Sequence, residues 1–212
     1  MKPTSRTNAQ EDNGKPRRRG GLTRKDIVAA ALEIARQDGV NAVSMRRVAK
    51  RLNAGTMSLY AHVESRRDLV IAMLDRLADA IDAPAEEVDP RADILSVART
   101  LHQTLSEEEW AVDLIVLEGE GSLNVLPLIE RLLAALLRLG CAPEDARDRY
   151  LLLMQYIYGE CLNHRTREKR SNDLAMRSKP LLQAFPATAS IVALGPIDRR
   201  KAFDANIRRI LP

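Results

Sequence analysis

The side chains best suited to acid–base, nucleophilic or metal chemistry are scattered along this chain, and their spacing builds no catalytic site. His62, His102 and His164 are distant from one another, and no Ser-His-Asp arrangement, Gly-rich phosphate loop or Cys/His cluster accompanies them. His102 falls within an amphipathic pattern and reads as a structural histidine. Cys141 and Cys161 lie in apolar contexts and read as free buried thiols. Glu107-Glu108-Glu109 reads as the charged start of a helix. No enzyme, metal or cofactor is expected from this inventory. The chemistry that remains is non-covalent recognition, and its residues are concentrated in one stretch.

That stretch is SMRRVAKRLNAGTMSLYAHV, residues 44–63. Val48, Ala49 and Leu52 give a short helix one apolar face. Asn53-Ala54-Gly55 interrupts it with residues that tolerate the left-handed backbone of a helix end. Thr56 is placed to cap a second helix through its hydroxyl. That second helix buries Leu59 and Val63 and leaves Thr56, Met57, Ser58, Tyr60 and His62 free. Small polar groups at a helix start, with a phenol and an imidazole a turn later, suit the major groove of DNA.

The charge pattern agrees. The net charge is +4, but residues 1–67 carry 15 Lys+Arg against 6 Asp+Glu, a local balance of +9, and the remainder balances at −5. A basic first third on an acidic body points to a polyanion partner for that third alone. Residues 1–20 are nearly devoid of apolar side chains and end in Lys15-Pro16-Arg17-Arg18-Arg19, so they read as a disordered basic arm.

Hydrophobic residues make up 45% of the 212 positions and aromatic ones 3%. Cores must therefore be filled by Leu, Ile, Val, Ala and Met, and with no period-2 runs the expected fold class is all-α. Thr23 and Asp26 outline a capping box for a helix carrying Ile27, Ala30, Ala31, Ile34 and Ala35 on one face and ending at Asp38-Gly39. Ser44 caps the next helix. Ile27, Ile34, Val43, Val48, Leu52, Leu59 and Val63 are expected to form the interior of one three-helix bundle. Ser65 and Asp68 outline a second capping box. The helix they open sets Leu69, Met73, Leu77 and Ile81 at four-residue steps and is expected to stop at Ala83-Pro84.

The run LTRKDIVAAALEIARQDGVNAVSMRRVAKRLNAGTMSLYAHVESRRDL resembles the N-terminal domain of the TetR (tetracycline-repressor-like) transcriptional regulators, continuously from Leu22 to about Leu69. The order and spacing of Asp-Gly, Ser-Met-Arg-Arg-x-Ala and Leu-Tyr-x-His-Val carry the resemblance. Asn53 stands where the family usually has Gly, and Ala61 where close relatives carry a large aromatic. The resemblance implies base-edge contacts from Arg46, Gly55, Thr56, Met57 and Tyr60. It implies phosphate contacts from Ser44, Met45, Ser58, His62, Arg66 and Arg67. Gly55 and Met57 replace more polar family choices, so base preference is expected to lean on apolar contact, as to a thymine methyl. Arg47, Lys50 and Arg51 read as a solvated face.

Three parts are expected: a disordered basic arm over 1–21, a helix-turn-helix DNA-binding domain over 22–65, and a larger helical effector-binding and dimerisation domain over 66–212. In the last, Asp89-Pro90 starts a helix carrying Ile94, Ala98, Leu101 and Leu105, Trp110 lies on a shorter one, and a further helix runs from about Val125 to Leu139. A helix starting at Ala142-Pro143 is apolar all round between Tyr150 and Leu162, so one side needs a covering partner. The simplest cover is the same helix of a second subunit, in a homodimer. Arg165 to Arg170 are expected to end that helix. Residues 171–196 read as a long loop with a short helix near Leu181. A last helix, Asp198 to Leu211, offers Phe203, Ile207, Ile210 and Leu211 as a second dimer surface.

Two readers about 34–36 Å apart would reach successive major grooves, so the DNA partner is expected to be a near-palindromic double-stranded operator. The resemblance also implies a small-molecule effector between the connecting helix and those after it, with Met73, Leu77, Leu101, Leu105, Trp110, Leu114, Met154 and Tyr158 as candidates. The alternative is a regulator of the same fold with no small-molecule ligand, controlled by a protein partner. With no secretory signal and no apolar run near the roughly 20 residues of a membrane span, a soluble cytoplasmic protein is expected, with no membrane partner.

Overall fold

The structure is a computed structural model that describes residues 21–178, 184–194 and 198–212, with the backbone alone for 164–178 and for Val192. The basic arm and Leu181 lie outside the described residues. The described elements are helical: α1 Arg24–Asp38, α2 Met45–Leu52, α3 Thr56–Tyr60, α4 Arg66–Ala78, α5 Pro90–Glu107, α6 Glu109–Val116, α7 Leu126–Arg138, α8 Pro143–Ser178, α9 Pro186–Val192 and α10 Arg199–Ile210. Short 3₁₀ turns at Val40–Ala42 and Leu123–Val125 precede α2 and α7.

Local chemistry sets most of the boundaries. The Thr23 hydroxyl accepts from the Asp26 N–H at 3.1 Å and the Asp26 carboxylate accepts from the Thr23 N–H at 3.2 Å, which completes the capping box of α1. The Ser44 hydroxyl caps α2. Asn53 ends α2 in the left-handed conformation, φ 52° and ψ 43°. Asn is among the few residues besides Gly that visit it cheaply. Asp89 caps α5 with Pro90 in its first turn. Gly140, at φ 88°, closes the turn after α7.

The core is continuous from Ile27 on α1 to Leu211 after α10. α1 packs on α2 and α4, and α2 on α3. α4 also packs on the turn at Leu123–Val125, and so reaches the larger helical body. There α5 is the central element, in contact with α6, α7, α8 and α10. Ile94, Val97 and Ala98 on α5 are completely buried.

Several expectations from sequence fail here. α4 stops at Ala78, and residues 79–81 continue as tight turns through Ala80 N–H to Leu77 O and Ile81 N–H to Ala78 O. α3 has Gly55 rather than Thr56 as its N-cap and no side-chain cap, because the helix opens with the Ser58 N–H bonding the Gly55 carbonyl at 3.0 Å. The second capping box is half made: Ser65 accepts from the Asp68 N–H, but Asp68 serves the Glu64 N–H and Arg24 instead. α8 runs on to Ser178 rather than ending at Arg165–Arg170. No Gly or Pro follows Gly159 until Pro180, and the intervening Arg, Glu, Lys, Leu, Ala and Met favour helix. Phe203 and Ile207 of α10, and Leu211 just after it, are buried within the chain itself, Phe203 lying 4.5 Å from the His102 ring and 5.5 Å from Tyr156, centroid to centroid. The main apolar side of α10 is therefore already covered.

Candidate nucleic-acid interface and an adjoining cavity

The turn at Asn53 sets α3 across α2, and a row of side chains faces outward. Arg46, Ser58 and His62 are exposed, Tyr60 is 46% exposed, and Met57 stands out at 81%. Gly55 is exposed at the start of α3, where an added Cβ would meet only the Ser58 hydroxyl at 3.8 Å. Thr56 is half-buried and Ser44 is exposed while it caps α2. A large exposed thioether beside a guanidinium, two hydroxyl groups and an imidazole can read a groove by hydrogen bonds and by apolar contact.

Met45 and Arg66 depart from expectation. The Met45 side chain is 7% exposed and belongs to the bundle interior, so it cannot reach a phosphate. Arg66 Nε donates to the Val43 carbonyl at 3.1 Å, and its two terminal nitrogens grip the Glu118 carboxylate at 2.7 and 3.0 Å. Those bonds hold the Glu118 carboxyl below the usual carboxylate range. Arg66 is thus a junction between the bundle and the body. Arg67 is more open, at 74% side-chain exposure, and meets Glu120 at 2.8 Å. Arg47 and Arg51, read as a solvated face, are tied back to α1 through Asp38 and through Glu33 and Gln37.

The reader is braced by another pair. Arg24 donates to the His62 carbonyl at 2.9 Å and to the Asp68 carboxylate at 2.8 and 2.5 Å. One guanidinium thereby joins the starts of α1 and α4 to the end of α3. Its hydrogen bonds hold Asp68 below the ordinary carboxylate range against a smaller opposing effect of burial.

Behind α4 lies a cavity of about 250 Å³. Leu74, Leu77, Ala78 and Ile81 wall it from α4 and the turns after it, Leu101, Thr104 and Leu105 from α5, and Ile115 from α6. Ile129 of α7 and Tyr150, Met154 and Tyr158 of α8 complete it, with Gly121, Ser122 and Val125 at its rim. Of the sequence candidates, Leu77, Leu101, Leu105, Met154 and Tyr158 come together here. Met73, Trp110 and Leu114 do not: they are 0%, 3% and 0% exposed and are solid core. Thr104 and Tyr150 gave no sequence signal beyond their helical register, and Ser122, in the loop between α6 and α7, gave none.

The rim segment also grips α4 along its length. Glu118 and Glu120 hold Arg66 and Arg67, the Ser122 hydroxyl donates to Asp75 at 2.6 Å, and the Asn124 amide donates to Asp79 at 2.8 Å. The segment that borders the cavity is therefore the one that fastens the helix following the reader. Among the described residues no group of His, Cys, Asp or Glu is placed to hold a metal ion, and no helix is long and apolar enough to cross a membrane.

Comparison with known proteins gives a consistent picture. The family model described as bacterial regulatory proteins, tetR family, matches residues 27–73, and the tetracyclin repressor-like C-terminal domain model matches residues 83–211. An HTH-type transcriptional regulator from Saccharopolyspora erythraea is 32% identical over 139 residues, 65% of this chain and 59% of that protein. An HTH-type transcriptional repressor from Mycobacterium tuberculosis is 29% identical over 160 residues, 72% of this chain and 61% of that one. The chain thus spans about three fifths of the length of these curated relatives. Among solved structures, the Streptomyces coelicolor protein ActR in complex with (S)-DNPA superposes with a TM-score of 0.70 at 25% identity, covering 90% of this chain and 96% of that chain.

Proposed function

The chain belongs to the TetR family of bacterial regulatory proteins, and from that premise we propose that it is a sequence-specific DNA-binding transcriptional regulator, a cytoplasmic repressor released from a palindromic operator by a small-molecule effector. The observation that carries the DNA reading is the exposed row Arg46, Met57, Ser58, Tyr60 and His62 on a helix pair fixed by Asn53. The effector reading is supported by the cavity behind α4 and by the ligand complex of ActR. The division of labour follows: residues 22–65 read DNA, and residues 66–212 bind effector and dimerise.

The effector acts by differential affinity. It binds the conformer whose reading helices are set wrongly for the operator, and the population shifts toward that conformer. The segment 118–124 supplies a physical route, since a molecule pressing on Gly121 and Ser122 also presses on the holds that fix α4.

Fluorescence anisotropy on duplexes from the region upstream of the gene tests the reader. Arg46→Ala should lower specific affinity about 10- to 100-fold, the equivalent of the roughly 1–3 kcal/mol of a bidentate contact to guanine. If Arg46→Ala and Tyr60→Phe both leave sequence-specific binding unchanged, the assignment falls. Glu120→Gln should free Arg67 for a phosphate. Non-specific affinity then rises, and the slope of log K against log salt steepens by about one. An unchanged slope would remove Arg67 from the interface.

A further inference from the structure

We propose that the cavity behind α4 selects an uncharged, mainly apolar molecule bearing hydroxyl or carbonyl groups, and rejects cations and anions alike. The inference rests on the effector reading and adds the chemical class of the ligand. Its ground is what lines the cavity. No Asp, Glu, Lys, Arg or His is among the lining residues. A charged ligand would leave water without gaining a counter-charge, and that loss is not recovered by apolar contact.

The polar groups present are hydroxyls. The Ser122 hydroxyl is already engaged with Asp75 and the Asn124 N–H. Those of Thr104, Tyr150 and Tyr158 have no hydrogen-bond partner among the described residues. A hydroxyl in a mostly apolar site gains from a partner, and it can either donate or accept. Burial pushes the Tyr158 phenol up to about 12 and Tyr150 in the same direction, so both remain protonated through neutral pH. The site therefore offers neutral, two-way hydrogen bonding at its α5 and α8 walls and aliphatic surface from Leu74, Leu77, Leu101 and Leu105 elsewhere. A fused-ring compound with an oxygen substituent matches both features.

The test uses three naphthalenes of nearly equal shape on the full chain at pH 7: 1-naphthol, which is neutral, 1-naphthylmethylamine, which is cationic, and 1-naphthalenesulfonate, which is anionic. Isothermal titration should show 1-naphthol binding at least about tenfold more tightly than either ion. Tyr158→Phe and Thr104→Val should each weaken 1-naphthol several-fold. Met154→Trp, which fills the cavity, should abolish its binding, and an unchanged far-UV circular dichroism spectrum with a cooperative melting transition in each variant serves as the check on folding. Binding of either ion as tightly as 1-naphthol overturns the ligand class and leaves the effector reading standing. No binding by any of the three overturns both.

Discussion

Asp93→Ala is expected to destabilise the protein by about 3–5 kcal/mol, the usual cost of removing one member of a buried ion pair and leaving the other charge uncompensated. For a chain of this size that is a fall in melting temperature on the order of 10 °C. Asp93 is 2% exposed and is the one buried charged residue among those described. Arg131 donates to it from Nε at 3.1 and 3.2 Å and from Nη2 at 2.5 Å, Arg138 reaches it at 3.3 Å, and the Glu87 N–H donates at 2.9 Å. Arg131 also donates to the Pro84 and Ala85 carbonyls, so the pair locks α5, α7 and the loop after α4 together. A double replacement, Asp93→Leu with Arg131→Met, should recover only part of the loss. It removes the unpaired charge but still leaves those two carbonyls without donors. Urea unfolding measures both, with the midpoint moving and the slope held.

The same pair sets a pH dependence. Burial is the largest influence on Asp93 and opposes its charge, but the bonds from Arg131 and the Glu87 N–H, with the Arg131 and Arg138 charges, outweigh it and hold its pKa below the ordinary value. A carboxylate depressed in the folded state contributes stability that is complete above the unfolded value of ~3.9 and is lost as pH falls through the folded one. In the wild type, acid unfolding below about pH 4 should therefore be steeper than in the double variant, which has no Asp93 to protonate.

Features fixed by near neighbours in the chain were legible in the sequence. The Thr23–Asp26 box, the Ser44 cap and the left-handed Asn53 each depend on residues within one turn. The pattern of apolar residues likewise gave the bundle interior, because helical period alone decides which side of α1 or α2 is buried. What failed depends on partners far away. Asp68 had the spacing of a local cap, yet Arg24, 44 positions earlier, claims its carboxylate. Arg66 had the position of a phosphate contact, yet Glu118, 52 positions later, holds it. Sequence could not choose between core and cavity for Met73 and Leu77. They are one helical turn apart on α4 and equally apolar, and only the placement of α5 through α8 leaves a void beside the second. The Arg165–Arg170 run misled for a different reason. Cations suit a helix end, but the same residues are good helix formers in mid-helix, and nothing local breaks the chain there.

Leu152→Glu on α8 is expected to yield a monomer whose specific affinity for the operator is lower by about a thousandfold or more, close to the non-specific level. One reader of five residues covers too little DNA for tight specific binding, and in the proposed homodimer the other subunit supplies the second. α10 has spent its main apolar side on Tyr156 and His102, which leaves α8 as the main candidate for the dimer surface. Leu151 and Leu152 are 48% and 55% exposed there, and Gln155 and Gly159 continue the same stripe at helical spacing. Gly159 discriminates between a covered and a bare stripe. A Cβ added to it would meet nothing within 4 Å in its own chain, so no contact in the subunit requires glycine at a place where it weakens the helix. On a solvent-facing helix Gly159→Ala should stabilise by about 1 kcal/mol. Where a partner helix crosses closely at that point, the added methyl must instead push the two helices apart and weaken the dimer. Analytical ultracentrifugation of Gly159→Ala beside Leu152→Glu decides it. A tighter or unchanged dimer for the alanine variant, with a monomer–dimer equilibrium indifferent to Leu152→Glu, would move the interface off α8 altogether.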